Sequence, residues 1–226
     1  MDLSIIIPTF NRAPILRKTL EALESQVTEA SFEIIVVDDG SSDGTAETAA
    51  AFRRKSAIPL SYYFQPNRKQ GAARNLGARF ASGDWLLFLG DDIVPGPDLV
   101  RMHMERHGRA LTEDAPLVVL GYTAWPPEWK KTRFLEFIGE QGWQFGFSLI
   151  EDHDDVPFNF FYTSNLSLSS TLFSESGGFD EDFTVYGWED IELSLRLKEL
   201  GSRLVYQPGA AAYHYHPTNL SSFSRR

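Results

Sequence analysis

The chain has 226 residues, 42% hydrophobic and 13% aromatic, which suits one large domain with a substantial core and argues against disorder. A formal net charge of −10 makes nucleic acid an unexpected partner and disfavours tight docking to anionic membranes. With no cysteine, disulfides, thiolate nucleophiles and Cys-based zinc sites are excluded.

The amino end, Met1-Asp2-Leu3-Ser4, lacks the basic region of a signal peptide, and no stretch approaches the ~20 apolar residues of a spanning helix. The expectation is a cytoplasmic protein, with peripheral association at a membrane left open. Residues 3–9 form a short apolar run that reads as a buried strand. Asn11 is placed to cap a helix over 14–25, with Pro14 in its first turn. A second apolar run, 32–38, ends abruptly at Asp38-Asp39-Gly40-Ser41-Ser42-Asp43-Gly44-Thr45, and a helix over 45–54 follows. A strand is predicted at 60–64, a helix at 72–81, and a fourth strand at 85–89 that ends at Gly90-Asp91-Asp92. This alternation predicts an α/β fold, a mostly parallel central sheet flanked by helices, with ligands at the carboxyl ends of the strands.

The second half is less regular. Strands are expected at 117–122, 162–169, 203–206 and 210–216, the last two around a turn at Pro208-Gly209. The stretch 125–161 is crowded with aromatic residues that base rates assign to the core. Two turn-like pieces, Trp125-Pro126-Pro127-Glu128-Trp129 and Gln141-Gly142-Trp143, offer rings that sugars could stack on. Gly187-Trp188-Glu189-Asp190-Ile191-Glu192-Leu193 opens a helix expected over 191–200. Without repeats or a clear linker, 1–226 reads as a single domain.

Each acidic segment has two readings. Asp38 and Asp39 exceed what capping requires, and a carboxylate there can accept from a base N–H or ribose hydroxyls. Asp91 and Asp92 repel each other at a strand end, which a divalent cation would relieve; a solvated turn is the alternative. Glu189 and Asp190 fit helix-start acids as well as a proton-accepting pair. His214 and His216, two apart in a strand, share a face and suit either an exposed edge or a cation. Arg74 is either a surface arginine or a diphosphate ligand. Neither a G-x-G-x-x-G after the first strand nor a G-x-x-x-x-G-K-[ST] is present.

Taken in order, Ile5-Ile6-Ile7-Pro8-Thr9-Phe10-Asn11-Arg12, Val37-Asp38-Asp39-Gly40-Ser41-Ser42-Asp43-Gly44-Thr45, Gly71-Ala72-Ala73-Arg74-Asn75-Leu76-Gly77, Phe88-Leu89-Gly90-Asp91-Asp92 and Gly187-Trp188-Glu189-Asp190-Ile191-Glu192 resemble the motif set of family 2 glycosyltransferases with the GT-A fold. The resemblance covers nearly the whole chain. It implies an inverting, hexosyltransferase-like enzyme with a nucleotide-sugar donor, a UDP-sugar first, and a glycan, lipid-linked or other hydroxyl acceptor, as in polysaccharide biosynthesis. About 1–115 would bind the donor, and about 116–226 would bind the acceptor and supply the base. Pro8, Thr9, Asn11, Arg12, Asp39, Arg74 and Asp91 match donor-binding positions, with Asp39 on the base. Asp92 matches the metal-binding acid, and His214, with His216 as fallback, lies where some members place a metal histidine. Asp190, beside Glu189, matches the catalytic base. Asn165 and Gly177-Gly178-Phe179-Asp180-Glu181 resemble the acceptor-side half, and Trp188, next to the base, is expected to line the acceptor site. One departure is Gly90, which stands where the family's D-x-D has its first acid. Imidazole plus carboxylate favours Mn²⁺ over Mg²⁺. The alternatives are a nucleotidyltransferase acting on a sugar phosphate and a non-catalytic binding module on the same fold.

Overall fold

The computed structural model describes residues 1–110, 115–140, 144–183 and 188–223. Gly187 of the acidic motif and the expected Gln141-Gly142-Trp143 turn lie outside the described residues. The four apolar runs become strands at the expected places: β1 (Leu3–Thr9), β2 (Phe32–Asp38), β3 (Leu60–Phe64) and β4 (Trp85–Leu89). They pair in parallel in the order β3-β2-β1-β4. Unbroken apolar runs suit such strands because helices cover both faces of a parallel sheet. Ile6, Ile35, Val37 and Phe88 join one core cluster, while Ile5, Ile7, Ile34 and Val36 join the opposite one. The period-two alternation of a strand divides them.

Three helices connect these strands: α1 (Ala13–Glu24), α2 (Thr45–Lys55) and α3 (Lys69–Arg79). Leu16 and Leu20 of α1 and Ala49 of α2 pack on one face, and Ala73 of α3 on the other. α3 lies close against β1 because Gly77 has no side chain; a Cβ there would sit 2.5 Å from Ile6 Cγ2. It starts three residues earlier than the expected 72. The Asp39 carboxylate accepts from the backbone N–H groups of Arg68 (2.7 Å) and Lys69 (2.9 Å), so a residue thirty positions away satisfies the helix's first donors.

The chain continues through β5 (Ile93–Pro95), α4 (Leu99–Ala110), β6 (Leu117–Ala124), α5 (Arg133–Glu140), β7 (Asn165–Ser169), α6 (Ser170–Glu175), α7 (Glu189–Glu199), β8 (Arg203–His214) and α8 (Leu220–Phe223). The sheet order is β3-β2-β1-β4-β7-β6-β8-β5, with β7 and β5 antiparallel to their neighbours. Among the described residues, no helix is long and apolar enough to cross a membrane.

Two expectations change here. The turn expected at Pro208-Gly209 is a bulge inside the single strand β8, where two strands were expected. Both halves of β8 run parallel to β6, and the register jumps from Gly121↔Gln207 to Tyr122↔Ala211. The bulge leaves carbonyl groups to be satisfied. The Asn165 side chain does so, donating to the carbonyls of Tyr122 (3.1 Å) and Ala210 (2.9 Å). Asn165 is accordingly buried, 1% exposed. The platform expected at Trp125 is corrected: its ring is buried with Leu135 and Ile138.

Asn165 also anchors a buried polar chain. With its amide nitrogen committed to two carbonyls, Oδ1 is left to accept from His103 Nε2 (2.9 Å). The Ser167 hydroxyl lies 2.8 Å from His103 Nδ1 and 2.7 Å from His107 Nε2. The His107 ring stacks on Trp85, with centroids 3.8 Å apart. Burial pushes His103 down to about 4; burial also lowers His107, and the neighbouring His103 and Arg106 act in the same direction. An unfolded histidine titrates near 6.5, so between these values the unfolded chain binds more protons. Stability is therefore complete above about pH 6.5 and falls as pH drops toward 4, by on the order of 3 kcal/mol from His103 alone. Denaturant melts across this window are expected to show that fall, and His103→Gln to flatten it.

Candidate active site

The acidic segments converge on one edge of the sheet. Parallel strands present their carboxyl ends there, and the reversed strand β7 presents its amino end. Thr9 pairs with Asp38 at the ends of β1 and β2, Leu89 of β4 pairs with Asn165 of β7, and Ile93 of β5 pairs with His214 of β8. Pro8 lies within β1 opposite Val37.

At the first two strand ends the acids are held tightly. Asp39 donates its backbone N–H to the Thr9 carbonyl (2.9 Å). Its carboxylate accepts from Gln65 Nε2 (2.7 Å) as well as from the start of α3. Asp38 accepts from the Tyr62 hydroxyl (2.6 Å) and the Ser41 N–H (2.7 Å). Asn11 sits at φ 53 and ties the two loops together: its N–H donates to Ser41 Oγ (2.8 Å), and its Oδ1 accepts from the Ser42 N–H (2.8 Å). Phe10, between Thr9 and Asn11, is 46% exposed beside these loops. The sequence reading gave Phe10 no role; an exposed ring directly after a buried strand is a signal that marks it.

The turn after β4 carries two unlike carboxylates. Asp91 accepts from Thr9 Oγ1 (2.8 Å) and Arg12 Nη1 (3.2 Å), and its backbone carbonyl accepts from Thr19 Oγ1 (2.8 Å). Burial pushes the Asp91 carboxyl up to about 6, against the pull of Arg12. Asp92 faces His214 Nε2 (3.4 Å) and His216 Nδ1 (3.5 Å) through the same oxygen that accepts from Arg12. Burial opposes ionisation of Asp92 too, yet bonds from both histidines and the charge of Arg12 hold it well below the usual carboxylate range.

The donor atoms of Asp92, His214 and His216 all lie within 4.8 Å of one another. One carboxylate oxygen and two imidazole nitrogens are a fitting set for a divalent transition ion. The His214 ring is fixed by its surroundings, stacked on Trp125 at 5.7 Å and on His216 at 5.6 Å, with Phe145 edge-on at 5.9 Å. Its Nδ1 is buried without a hydrogen-bond partner, so Nε2 alone faces polar groups. Gly90 has a steric role where the family pattern has an acid: a Cβ there would lie 2.8 Å from Ile93 Cγ1.

Across the cleft, α7 opens with the acidic pair. Glu189 is buried, bonded by the Gln70 side chain, and lies 3.5 Å from Arg74 Nη1. Asp190 is more open and lies 3.4 Å from the same Arg74 nitrogen. Arg74 therefore sits between the two acids of the helix start. It reaches them because Gly71, Ala72 and Ala73 let this turn of α3 be buried. The Asp190 carboxylate accepts from the Thr163 hydroxyl (2.7 and 2.8 Å to its two oxygens) and from the Thr163 N–H (3.2 Å). Burial pushes the Asp190 carboxyl up; Arg74 pulls it back, and Glu189 pushes it further up. Trp188, just before the pair, is 68% exposed. Thr163 and Gln70 were not legible from sequence, because nothing in their local pattern points to partners 27 and 119 positions away.

The profile of the Glycosyl transferase family 2 matches residues 4–167. The chain is 34% identical to validoxylamine A glucosyltransferase of Streptomyces hygroscopicus subsp. jinggangensis, over 97% of the chain and 58% of that protein. It is 31% identical to the hyaluronan synthase of Pasteurella multocida, over 96% of the chain and 25% of that protein. It thus spans less than two thirds of the length of these relatives. Among solved structures, S. aureus TarS 1–349 in complex with UDP is similar at a TM-score of 0.70 and 20% identity, over 100% of this chain and 63% of that one. The mannosyltransferase PcManGT from Pyrobaculum calidifontis, in complex with GDP-Man and Mn²⁺, is similar at 0.71 and 19% identity, over 97% and 58%. At this identity the structural likeness concerns the fold.

Proposed function

The chain belongs to glycosyl transferase family 2, and from that premise we propose that it is an inverting glycosyltransferase moving a sugar from a nucleotide sugar, a UDP-sugar first, to an acceptor hydroxyl. The observation that carries this reading is the convergence of the Asp190 carboxylate and the Thr9–Asp91–Asp92 turn on one edge of the sheet, linked by the pairing of β4 with β7. About 1–115 would hold the donor and about 116–226 the acceptor and the base. The crevice lined by Pro8, Thr9, Asn11, Arg12, Asp39 and Asp91 would take the nucleoside diphosphate, with Arg74 at its inner wall. Phe10 adds an apolar ring at the same rim.

Asp190 would accept the proton of the acceptor hydroxyl as that oxygen forms its bond to the donor C1. The bond from C1 to the diphosphate breaks on the opposite face, through an oxocarbenium-like transition state. Glu189, buried and paired, would position Arg74 and leave proton transfer to its neighbour. Arg74 draws the Asp190 carboxyl back down against burial and the charge of Glu189. A divalent ion, Mn²⁺ before Mg²⁺, would be held by Asp92, His214 and His216 and would supply charge neutralisation for the leaving diphosphate. Trp188 offers an apolar face for a glycan, lipid-linked or other hydroxyl acceptor. The names of the two relatives, a validoxylamine A glucosyltransferase and a hyaluronan synthase, support a glycan or other hydroxyl acceptor.

Calorimetric titration with UDP, GDP and dTDP, with and without Mn²⁺, tests the donor site. UDP is expected to bind tightly only with the cation present. Absence of binding by all three nucleotides would overturn the assignment.

A further inference from the structure

Thr163 is wholly buried, and its hydroxyl lies almost equally far from both oxygens of Asp190, at 2.7 and 2.8 Å. Its backbone N–H points at Oδ2 of the same carboxylate (3.2 Å). The next residue, Ser164, accepts at its carbonyl from the N–H of Gly90 (3.1 Å). One dipeptide thus holds Asp190 of α7 on one side and Gly90, at the start of the Gly90-Asp91-Asp92 turn, on the other. We infer that Thr163 is the positioning residue for Asp190: it sets the plane of the carboxylate relative to the β4 turn and stays bonded to it both before and after the proton arrives.

Hydroxyl chemistry lets the contact survive the change of protonation. A threonine hydroxyl carries one donor and two acceptor lone pairs and can rotate. It donates to the carboxylate while Asp190 is ionised. When Asp190 has taken a proton, the new O–H can donate to Thr163 Oγ1 instead. The N–H can only donate, so it favours the anion throughout. The other charged groups facing Asp190 are Arg74 from α3 and Glu189 from its own helix, and neither changes when Thr163 is altered. Valine keeps the shape of threonine and removes the hydroxyl; serine keeps the hydroxyl.

The inference rests on Asp190 acting as the base, and its test separates the two. Turnover is followed with the nucleotide sugar whose diphosphate binds in calorimetry, across pH, for Thr163→Val, Thr163→Ser and Asp190→Asn. Thr163→Val is expected to lower kcat by about 10–100-fold, the scale of a misplaced catalytic group, with nucleotide affinity and Tm close to the parent. Its acid limb should move to higher pH, because the Asp190 anion loses a hydrogen bond. Thr163→Ser should restore both rate and limb. A Thr163→Val enzyme with parental kcat and an unmoved limb would overturn the inference. So would a loss of rate that serine does not rescue, or one that accompanies a collapse in Tm. Asp190→Asn at the parental rate would sink the base itself; an inactive Asp190→Asn beside an unaffected Thr163→Val would sink only the role of Thr163.

Discussion

Asp190→Asn is expected to cut turnover by about 10²–10⁴-fold, the range for a positioned general base, while nucleotide binding stays within a few-fold of the parent. The substitution keeps the shape of the side chain, and an amide oxygen can still accept from Thr163. It removes the charge and the basic lone pair, so the acceptor proton has nowhere to go. Arg74 would then be left with Glu189 as its ionised partner, one charge against one. The loss should therefore fall on kcat. Steady-state kinetics with saturating donor, beside calorimetry on the same preparation, separates the two. An equal loss of nucleotide affinity would point to a structural role for Asp190.

Asp92→Ala is expected to abolish the Mn²⁺-dependent part of UDP binding, a change exceeding the roughly 10–100-fold seen when only an outer-shell partner of a metal is lost. One oxygen of Asp92 collects His214, His216 and Arg12, and no other carboxylate among the described residues joins the histidines in a metal-compatible group. Alanine leaves Arg12 with Asp91 at 3.2 Å, so the turn keeps a partner and the fold should survive. Asp92→Asn separates charge from shape: it should retain the turn and still lose the cation effect. Titration of UDP with and without Mn²⁺ reads both variants directly. Parental Mn²⁺ dependence in Asp92→Ala would remove this residue from the cation site.

The amino-terminal half of the fold was legible because its physics is local. Continuous Ile and Val runs predicted β1 and β2 to the residue, and the Asp-Asp turns fall, as expected, at the ends of β2 and β4. Helix α4 escaped notice for the opposite reason. Its buried face carries His103, Arg106 and His107, so the apolar period that would reveal a helix is interrupted by polar residues satisfied only in three dimensions. Pro208-Gly209 reads as a turn between two strands, yet it is a bulge inside β8, where the Ala210 carbonyl is satisfied by an asparagine more than forty positions upstream. Asn165 is tied into that packing, with its amide bonded to the bulge and to His103. At the site, the acids and histidines could be named from type and order. Their supports could not, since Thr163 on Asp190, Gln70 on Glu189 and Trp125 against His214 are set by packing between distant segments. Glu189 is the instructive case among the acids. It is adjacent to Asp190 and chemically alike; the motif match singles out Asp190, and the structure adds the physical difference, since Glu189 is the more deeply buried of the two.

The central claim is transfer with inversion at this cleft, and the anomeric configuration of the released sugar tests it without knowledge of the natural acceptor. An α-linked nucleotide sugar with a base that binds in calorimetry would be supplied with water as the only acceptor and followed by proton NMR. The account predicts that the β-anomer of the free sugar appears first, in step with nucleoside diphosphate. First appearance of the α-anomer, or release of sugar phosphate and nucleoside monophosphate instead, would contradict it.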